Sequence, residues 1–381
     1  MSKYILPIVA VAFFIVACTN NTDDATPLEK ALASNSPKIK TIVEHLEDHE
    51  IQIKFTRIKR LKDSIVFTDF DFQVNETRYF YPASTVKFPI AVLALEKLNS
   101  LDSISMHTRY FVEGDSIETT FAKDVSKIFA VSDNAANNRL LEFLGQDHIN
   151  TTLREKGIAP VRISHRLATG NADEITTKPL VIYQNDSTMT TLPGTINTSA
   201  EPLVLDAIDK GIGFYAQDSL IRSPFSFALK NHYPIVAQHA LLKRMIFPEQ
   251  FTKKEGIDLT DTQREFVLEA MHTLPKKLGY DPIEYYDSYV KFFMFGDRKD
   301  PMPEHIKIYN KVGYAYGTLT DCAYIVDALN KVEFMLTATI LVNKDGIFND
   351  DAYEYDDKGI PFLAQLGREL YDQELKRKGI D

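Results

Sequence analysis

The sequence predicts an α/β protein in which strands from both ends of the chain form one antiparallel sheet and a helical lobe is inserted between them. Near the start, "IQIKFTRIK" and "SIVFTDFDFQ" alternate apolar and polar residues, as half-buried strands do. The same alternation returns near the end in "HIKIYNKVG", "GTLTDCAYIV" and "VEFMLTATILV". Between these groups, over about residues 82–278, helical spacing dominates. No linker-like stretch separates the parts, so residues 37–381 are predicted to form one domain.

The N-terminal segment is predicted to be a targeting signal. Lys3 precedes an apolar run that ends at Ala17 and is too short to span a bilayer. The run closes on Ile15-Val16-Ala17-Cys18, which resembles the lipobox of bacterial lipoproteins. That resemblance implies a signal peptide over 1–17, a lipid on Cys18, and a place in the bacterial cell envelope, on the periplasmic or outer-membrane face. A plain secretory signal with an incidental cysteine is the alternative. The polar stretch that follows predicts a flexible tether over 18–36.

The remaining elements follow in order. "PLEKALASNSPKIKTIVEHLEDH" has helical spacing, with a stripe made of Ile39, Ile42, Val43 and Leu46. Within the lobe, Thr260 and Gln263 are spaced as a capping box at the start of a helix. After the last strand, "PFLAQLGRELYDQELKRK" predicts a closing helix.

Charge and cysteine content narrow the function. The formal net charge of -10 argues against binding to nucleic acid or to an anionic lipid surface, since both require clustered positive charge. The chain has 2 cysteines, and if Cys18 carries lipid then only Cys322 remains, which precludes an intrachain disulfide. Cys322 lies among apolar residues and is expected to be a buried structural thiol.

Ser84 and Lys87, in "YPASTVKFPIAVLALEKL", form a candidate catalytic pair. Residues three apart on a helix share a face, so the lysine amine can reach the serine hydroxyl. A desolvated, neutral lysine can take the proton that makes serine nucleophilic. The alternative is a helix start with a capping serine and a solvated lysine. The Ser-x-x-Lys spacing alone does not distinguish a catalytic pair from a helix start, because Ser288 and Lys291 have the same spacing.

Two further motifs follow in the chain. Ser132-Asp133-Asn134 offers a hydroxyl that can pass on a proton and an amide that can hold a substrate carbonyl, although all three residues also favour helix N-caps. Lys311-Val312-Gly313 ends a predicted strand, where the lysine can face a cleft and the glycine allows close approach to the backbone. The Lys-x-Gly pattern also occurs at Lys277 and Lys344, in settings that do not suggest a cleft.

The order Ser-x-x-Lys, Ser-Asp-Asn, Lys-x-Gly resembles that of class A β-lactamases and penicillin-binding proteins. The resemblance covers roughly Pro37 to Asp372 and includes the strand, helical lobe, strand layout. Ser288 falls after Ser-Asp-Asn, out of order, so it is interpreted as structural.

The resemblance implies roles for the matching residues. Ser84 would be the nucleophile, Lys87 its activating amine, and Ser132 the residue that passes the proton to the leaving nitrogen. The remaining implied residues bind substrate: Asn134 holds Lys87 and the substrate amide, Lys311 attracts a carboxylate, and the backbone N–H groups of Ser84 and of Tyr314, which follows Gly313, form the oxyanion hole.

Three departures from the family pattern bear on the reaction. Val312 replaces the threonine that is common in Lys-Thr-Gly and so lacks a hydroxyl for a β-lactam carboxylate. The Glu-x-x-Leu-Asn loop that activates the deacylating water in class A enzymes is missing, and Glu174, beside Asp173, is the nearest candidate. The segment between Ser-Asp-Asn and Lys-x-Gly is also long, and the excess, over about 185–260, is expected to reshape the cleft entrance.

We therefore expect an extracytoplasmic serine hydrolase that forms an acyl-enzyme at Ser84 with a β-lactam or a related amide. One alternative is a D-Ala-D-Ala peptidase acting on peptidoglycan, and another is a non-catalytic binding lipoprotein with the same fold. No cofactor, metal or nucleic-acid partner is expected. His45 and His49 have a spacing that can bind zinc, but an acidic solvated helix end is the preferred interpretation.

Overall fold

The structure, a computed structural model, describes residues 25–380. Its α-helices are, in chain order, α1 (Pro27–Leu32), α2 (Pro37–Val43), α3 (Leu46–His49), α4 (Lys87–Leu98), α5 (Phe121–Val131), α6 (Asn134–Leu144), α7 (Gln146–Glu155), α8 (Ile235–Ile246), α9 (Asp261–His272) and α10 (Ile360–Arg377). Its strands are β1 (Gln52–Arg60), β2 (Ile65–Phe72), β3 (Arg109–Val112), β4 (Thr119–Thr120), β5 (Leu180–Tyr183), β6 (Met189–Leu192), β7 (Asp209–Lys210), β8 (Gly213–Ala216), β9 (Ser219–Ile221), β10 (Phe225–Ser226), β11 (Ile306–Ala315), β12 (Thr318–Asp327), β13 (Val332–Leu341) and β14 (Ile347–Phe348).

The central sheet is antiparallel, with the strand order β11-β12-β13-β1-β2. The N-terminal hairpin joins the C-terminal strands through β1 and β13, where Ile53 pairs with Ala338 and Phe55 with Leu336. The predicted fold, one antiparallel sheet built from both ends of the chain, is confirmed. Each face of the sheet is covered, because β12 and β13 are apolar on both sides and must bury both.

Two apolar cores lie on the two faces of this sheet. One core packs α10 and the short N-terminal helices against residues such as Phe55, Phe334 and Leu336. The other packs the inserted lobe against the opposite face, where Cys322 and Met335 lie. Helix α4 is buried over almost its whole length, as a helix that is apolar all round must be. Cys322 is buried and unpaired, as expected, and burial raises the pKa of its thiol.

Three expectations need correction or qualification. The tether predicted over 18–36 does not extend that far, because α1 buries Leu28 and Leu32 against α10. The signal peptide, Cys18 and residues 18–24 lie outside the described residues. The stretch 27–49 is broken into three short helices, since Pro37 begins a second one. The lobe is less helical than predicted, because β3 to β10 lie within it.

The long segment over 185–260 packs against the loops that follow β11 and β13, but none of its residues lines the cavities at Ser84, so its expected effect on the cleft entrance stays a prediction. Strand β8 pairs in parallel with β14, and Asn349 donates a hydrogen bond to the carbonyl of Tyr215. Phe225 and Phe227 pack against Tyr316, at the end of the loop after β11. Elsewhere in the lobe, the capping box of Thr260 and Gln263 starts α9 as predicted. Among residues 25–380, no helix combines the length and the apolarity needed to cross a bilayer.

Candidate active site

Ser84 lies where two cavities meet, at the start of the buried helix α4. It belongs to a 3-10 turn, Ala83–Val86, that leads directly into α4 at Lys87. In a 3-10 turn, residues three apart lie one above the other, so the turn places Lys87 directly behind Ser84. Ala83, immediately before the serine, has a φ of 47°, a left-handed conformation that costs energy for any residue other than glycine. Both cavities, of about 420 and 510 Å³, are lined by Ser84, Asn134 and Tyr314.

Ser132 lies in a sharp turn between two helices and lines the larger cavity together with Ser84. Its φ of 58° ends α5, and the Asp133 side chain then caps α6 by accepting a hydrogen bond from the N–H of Ala136 at 2.7 Å. The capping interpretation of the Ser-Asp-Asn motif is thus right for Asp133, while Ser132 is left free to face the cleft. Ser132 lines the larger cavity.

Two buried lysines converge on Ser132. Lys87 donates to the Ser132 carbonyl and to its Oγ, the latter at 3.2 Å, and Lys311 donates to the same Oγ at 2.8 Å. Burial lowers the pKa of Lys87 to about 7, although nearby Asp133 opposes the shift. Burial also lowers the pKa of Lys311 well below its ordinary value, and the charge of Lys87 lowers it further. Both amines can therefore lose a proton far more readily than a solvated lysine.

Gly313 brings strand β11 against the backbone of Ser84. A Cβ at this position would lie 2.8 Å from the Ser84 nitrogen and 2.7 Å from the Pro82 carbonyl oxygen, both of them backbone atoms. Only glycine permits this approach. The sequence led us to expect close approach of a substrate to this backbone, whereas the contact observed is with the backbone of the Ser84 turn. The contact places the next residue, Tyr314, beside Ser84, where it lines both cavities.

The structure does not bring Glu174 to this site. Its side chain is exposed, and its backbone carbonyl accepts hydrogen bonds from Gln146 and Arg166. It lines neither of the two cavities. Asn134 does line them, but the described hydrogen bonds of the Lys87 amine go to Ser132 and none goes to Asn134. These hydrogen bonds therefore do not support the predicted role of Asn134 in holding Lys87.

The cavity wall facing Ser84 is instead formed by Leu167 and Ala168. Asn138 fixes this segment, donating to the Leu167 carbonyl at 2.8 Å and accepting from its N–H at 3.0 Å. Behind it, Arg166 makes a buried ion pair with Glu142, at 2.6 Å between Nε and Oε1. Leu167 and Ala168 both line the smaller cavity. These two side chains are apolar, and the carboxylate that does line the smaller cavity belongs to exposed Asp351, which the sequence did not single out.

Aromatic side chains line the rest of the cleft, and of these the sequence singled out only Tyr314, for its backbone N–H. Tyr314 contacts Tyr355 with ring centroids 5.4 Å apart, and Tyr81 contacts Tyr316 at 4.9 Å. The sequence is rich in Tyr and Phe, with 18 and 24 residues, but this abundance does not identify which of them line the cleft. Their convergence depends on loops that are distant in the chain.

The other motifs are structural or lie outside the cleft. Lys291 is buried and donates to the Met271 carbonyl at 2.7 Å and to Asn310 Oδ1 at 2.6 Å. Ser288 donates to the Arg298 carbonyl, so the second Ser-x-x-Lys match is a packing element. His49 is buried against the Leu341 carbonyl, and His45 instead lies near Glu47 and Asp48 in an exposed acidic group.

Comparisons with known proteins bear on the family and the fold of this chain. Residues 38–197 match the model of the β-lactamase enzyme family. The β-lactamase from Sphaerobacter thermophilus DSM 20745 is 13% identical, with a TM-score of 0.50, over 93% of this chain and 97% of that one. The "L2" protein complexed with relebactam is 13% identical, with a TM-score of 0.51, over 91% of this chain and 98% of that one. No curated protein sequence matches the chain.

At sequence identities this low, the structural comparisons show that the fold is shared but do not identify the substrate. The family match covers the segment that carries Ser84, Lys87 and Ser132, and the fold match extends over the sheet that carries Lys311. Together, the sequence match and the shared fold confirm that this chain resembles the serine β-lactamase and penicillin-binding protein superfamily.

Proposed function

We propose that this protein is a serine hydrolase that forms an acyl-enzyme at Ser84 with a β-lactam or a related amide. Burial lowers the pKa of Lys87 to about 7, so a substantial fraction of the amine is neutral at neutral pH and can take the proton of Ser84 as its Oγ attacks the carbonyl carbon. The backbone N–H groups of Ser84 and Tyr314 stabilise the oxyanion. Ser132 then protonates the leaving nitrogen, and water hydrolyses the ester.

The observation that carries this proposal is the pair of amines on the Ser132 hydroxyl. The Ser132 Oγ accepts one hydrogen bond from Lys87 and one from Lys311. These two bonds occupy both acceptor positions of the hydroxyl oxygen. The hydroxyl proton must then point away from both amines, toward the cavity that Ser132 lines. A serine that only capped a helix would not need two buried amines, whose desolvation is costly.

The test is intact-mass spectrometry after exposure to benzylpenicillin. Wild-type protein gains the mass of one penicilloyl group, and proteolysis places it on the peptide that contains Ser84. Ser84→Ala gains nothing, whereas the matched variant Ser288→Ala is still labelled at Ser84. The proposal is overturned if wild-type protein is never labelled, or if Ser84→Ala is labelled equally.

A second candidate is a D-Ala-D-Ala peptidase or penicillin-binding protein, which shares the acylation step. The specific observation in its favour is that the apolar residues Leu167 and Ala168 line the smaller cavity with Ser84, and that the one carboxylate among its described lining residues, Asp351, is exposed to solvent and not buried as a general base. A chromogenic cephalosporin separates the two. Sustained turnover supports a β-lactamase, whereas a burst of one equivalent followed by a plateau supports the slow deacylator.

We also propose that Cys18 carries lipid and anchors the protein in the cell envelope. The support is the lipobox-like sequence ending at Cys18. Expression of the full chain and of Cys18→Ala in bacteria tests it, because the wild-type protein is expected in the detergent phase of a phase-separation assay and the variant in the aqueous phase. The anchor is excluded if both partition alike.

A further inference from the structure

The smaller cavity beside Ser84 receives the acyl group of the substrate, if the proposed function holds. Ser132, the residue proposed to protonate the leaving nitrogen, lines the larger cavity and does not line the smaller one. Since proton transfer requires hydrogen-bond distance, the leaving side of the substrate extends into the larger cavity. The acyl group lies on the other side of the carbonyl carbon and extends into the smaller cavity, of about 420 Å³, which we call the acyl cavity.

Five tyrosine rings line the acyl cavity and contact one another in two groups. Tyr81 is buried and packs edge to face against Tyr316, with ring centroids 4.9 Å apart. Tyr355 lies 5.3 Å from Tyr353 and 5.4 Å from Tyr314. Aromatic rings favour edge-to-face or offset contact with another ring, so these surfaces suit an aromatic group better than an aliphatic group of the same size.

Two of these rings are fixed through their hydroxyl groups. The Tyr353 hydroxyl accepts a hydrogen bond from the backbone N–H of Asn349 at 2.9 Å, and the Tyr355 hydroxyl accepts one from the N–H of Gly317 at 2.8 Å. Both phenol oxygens are therefore held by the backbone of neighbouring loops. Because the rings are already ordered, a substrate that contacts them loses little free energy in ordering them.

The rest of the lining combines buried apolar side chains with exposed polar ones. Ala83 and Leu167 are buried and add aliphatic surface, whereas Asn349 and Asp351 are exposed to solvent. Exposed side chains keep their hydration when a substrate enters, so the surface that an acyl group can bury against is aromatic and aliphatic. A polar acyl group that reached this surface would lose hydration without gaining a hydrogen-bond partner from it.

We propose that the acyl cavity selects substrates whose acyl group carries an aromatic ring, and that Tyr353, on the loop after β13, is a specificity-determining residue. Tyr353 is chosen because it lines the acyl cavity alone, whereas Tyr314 and Tyr355 line both cavities. This inference rests on the proposed function. Within it, the inference favours a β-lactam with an aromatic side chain over a D-Ala-D-Ala peptide, whose acyl side is aliphatic.

The reaction retains the selected ring on the enzyme. Ser84 Oγ bonds to the carbonyl carbon, the bond from that carbon to the leaving nitrogen breaks, and the Ser84 proton reaches this nitrogen by way of Lys87 and Ser132. The aromatic ring stays on the acyl side, in the acyl cavity. A carboxylate on the leaving side of a β-lactam lies away from this cavity and is compatible with the selection.

Three penicillins that differ only in the acyl side chain test this selection. They carry phenylacetamido, cyclohexylacetamido and acetamido groups on the same nucleus, so they share one leaving nitrogen and one carboxylate. The readout is the second-order rate of Ser84 acylation by intact mass, divided by the hydroxide-catalysed rate of ring opening so that intrinsic reactivity cancels. We expect the phenylacetamido compound to react about threefold faster than the cyclohexylacetamido compound. It should react at least about tenfold faster than the acetamido compound.

A pair of variants locates the origin of the preference. Tyr353→Leu should bring the phenylacetamido and cyclohexylacetamido rates together, while Tyr183→Leu, at a tyrosine that lines neither cavity, should keep the wild-type ratio. Thermal denaturation establishes that both variants fold. Equal rates with wild-type protein, or a faster cyclohexylacetamido or acetamido compound, overturn the aromatic selection. An unchanged ratio in folded Tyr353→Leu overturns the assignment to Tyr353. If no penicillin acylates Ser84, the proposed function itself fails.

Discussion

Lys311 Nζ lies 2.8 Å from Ser132 Oγ and donates to it from a fully buried position. The two residues belong to a strand of the sheet and to a turn of the inserted lobe, so the contact joins the two parts of the fold at the Ser132 hydroxyl. Burial lowers the pKa of Lys311, because the charged amine gains too little from these contacts to offset its lost hydration.

The rate of Ser84 acylation should rise with pH, with an inflection near pH 7. Burial lowers the pKa of Lys87 to about 7, and only its neutral form can accept the Ser84 proton. Because Asp133 raises the pKa of Lys87, Asp133→Asn, which keeps the helix cap, should move the inflection to lower pH. Stopped-flow acylation with a chromogenic cephalosporin from about pH 5 to about pH 9 provides the measurement. A flat profile, or a shift to higher pH in the variant, would contradict the role of Lys87.

Gly313→Ala should reduce acylation by at least about a hundredfold, because displacing β11 from Ser84 misplaces an oxyanion-hole donor. The added Cβ would meet the backbone nitrogen of Ser84 at 2.8 Å. Gly256→Ala is the control, since its nearest neighbour would be 3.4 Å away and its φ is not positive. The measurement is the acylation rate with penicillin, alongside thermal denaturation to establish that both variants fold. Unchanged acylation in folded Gly313→Ala would remove Tyr314 from the oxyanion hole.

Leu167→Glu should speed hydrolysis of the acyl-enzyme by about tenfold or more, because it places a general base in the cavity beside Ser84. Glu174→Gln should leave the same rate unchanged, since that carboxylate is exposed and lines neither cavity. The measurement is the loss of the penicilloyl mass with time after free penicillin is removed. Slower deacylation in Glu174→Gln would restore the role that the sequence suggested for Glu174.

Lys291→Ala should lower the free energy of unfolding by about 3 kcal/mol without affecting which serine is acylated. Stability falls because the buried Lys291 amine donates a hydrogen bond to Asn310 Oδ1. Asn310 in turn donates a hydrogen bond to the buried carboxylate of Asp321 at 2.8 Å. Exposed Lys277→Ala should change stability by no more than about 0.5 kcal/mol. Urea denaturation at fixed pH measures both variants. Equal stabilities would show that the second Ser-x-x-Lys match has no structural role.

The sequence predicted the strands and the order of the three motifs because these depend on local information. Alternation marked β1 and β2, and the capping box marked the start of α9. The extent of the tether was wrong because Leu28 and Leu32 acquire their partners only from α10, at the far end of the chain. The strands within the lobe were missed because most are very short, such as β7 and β10, and carry little periodic signal.

By itself, the sequence determined the fold class and the residue types that can perform acylation, since both follow from periodicity and motif order. Only the tertiary structure decided what surrounds Ser84. It placed Lys87 and Lys311 on one hydroxyl, left Glu174 exposed and turned Leu167 toward the cavity. These outcomes depend on packing between segments distant in the chain, where burial sets the pKa values and backbone contacts set the direction of each side chain.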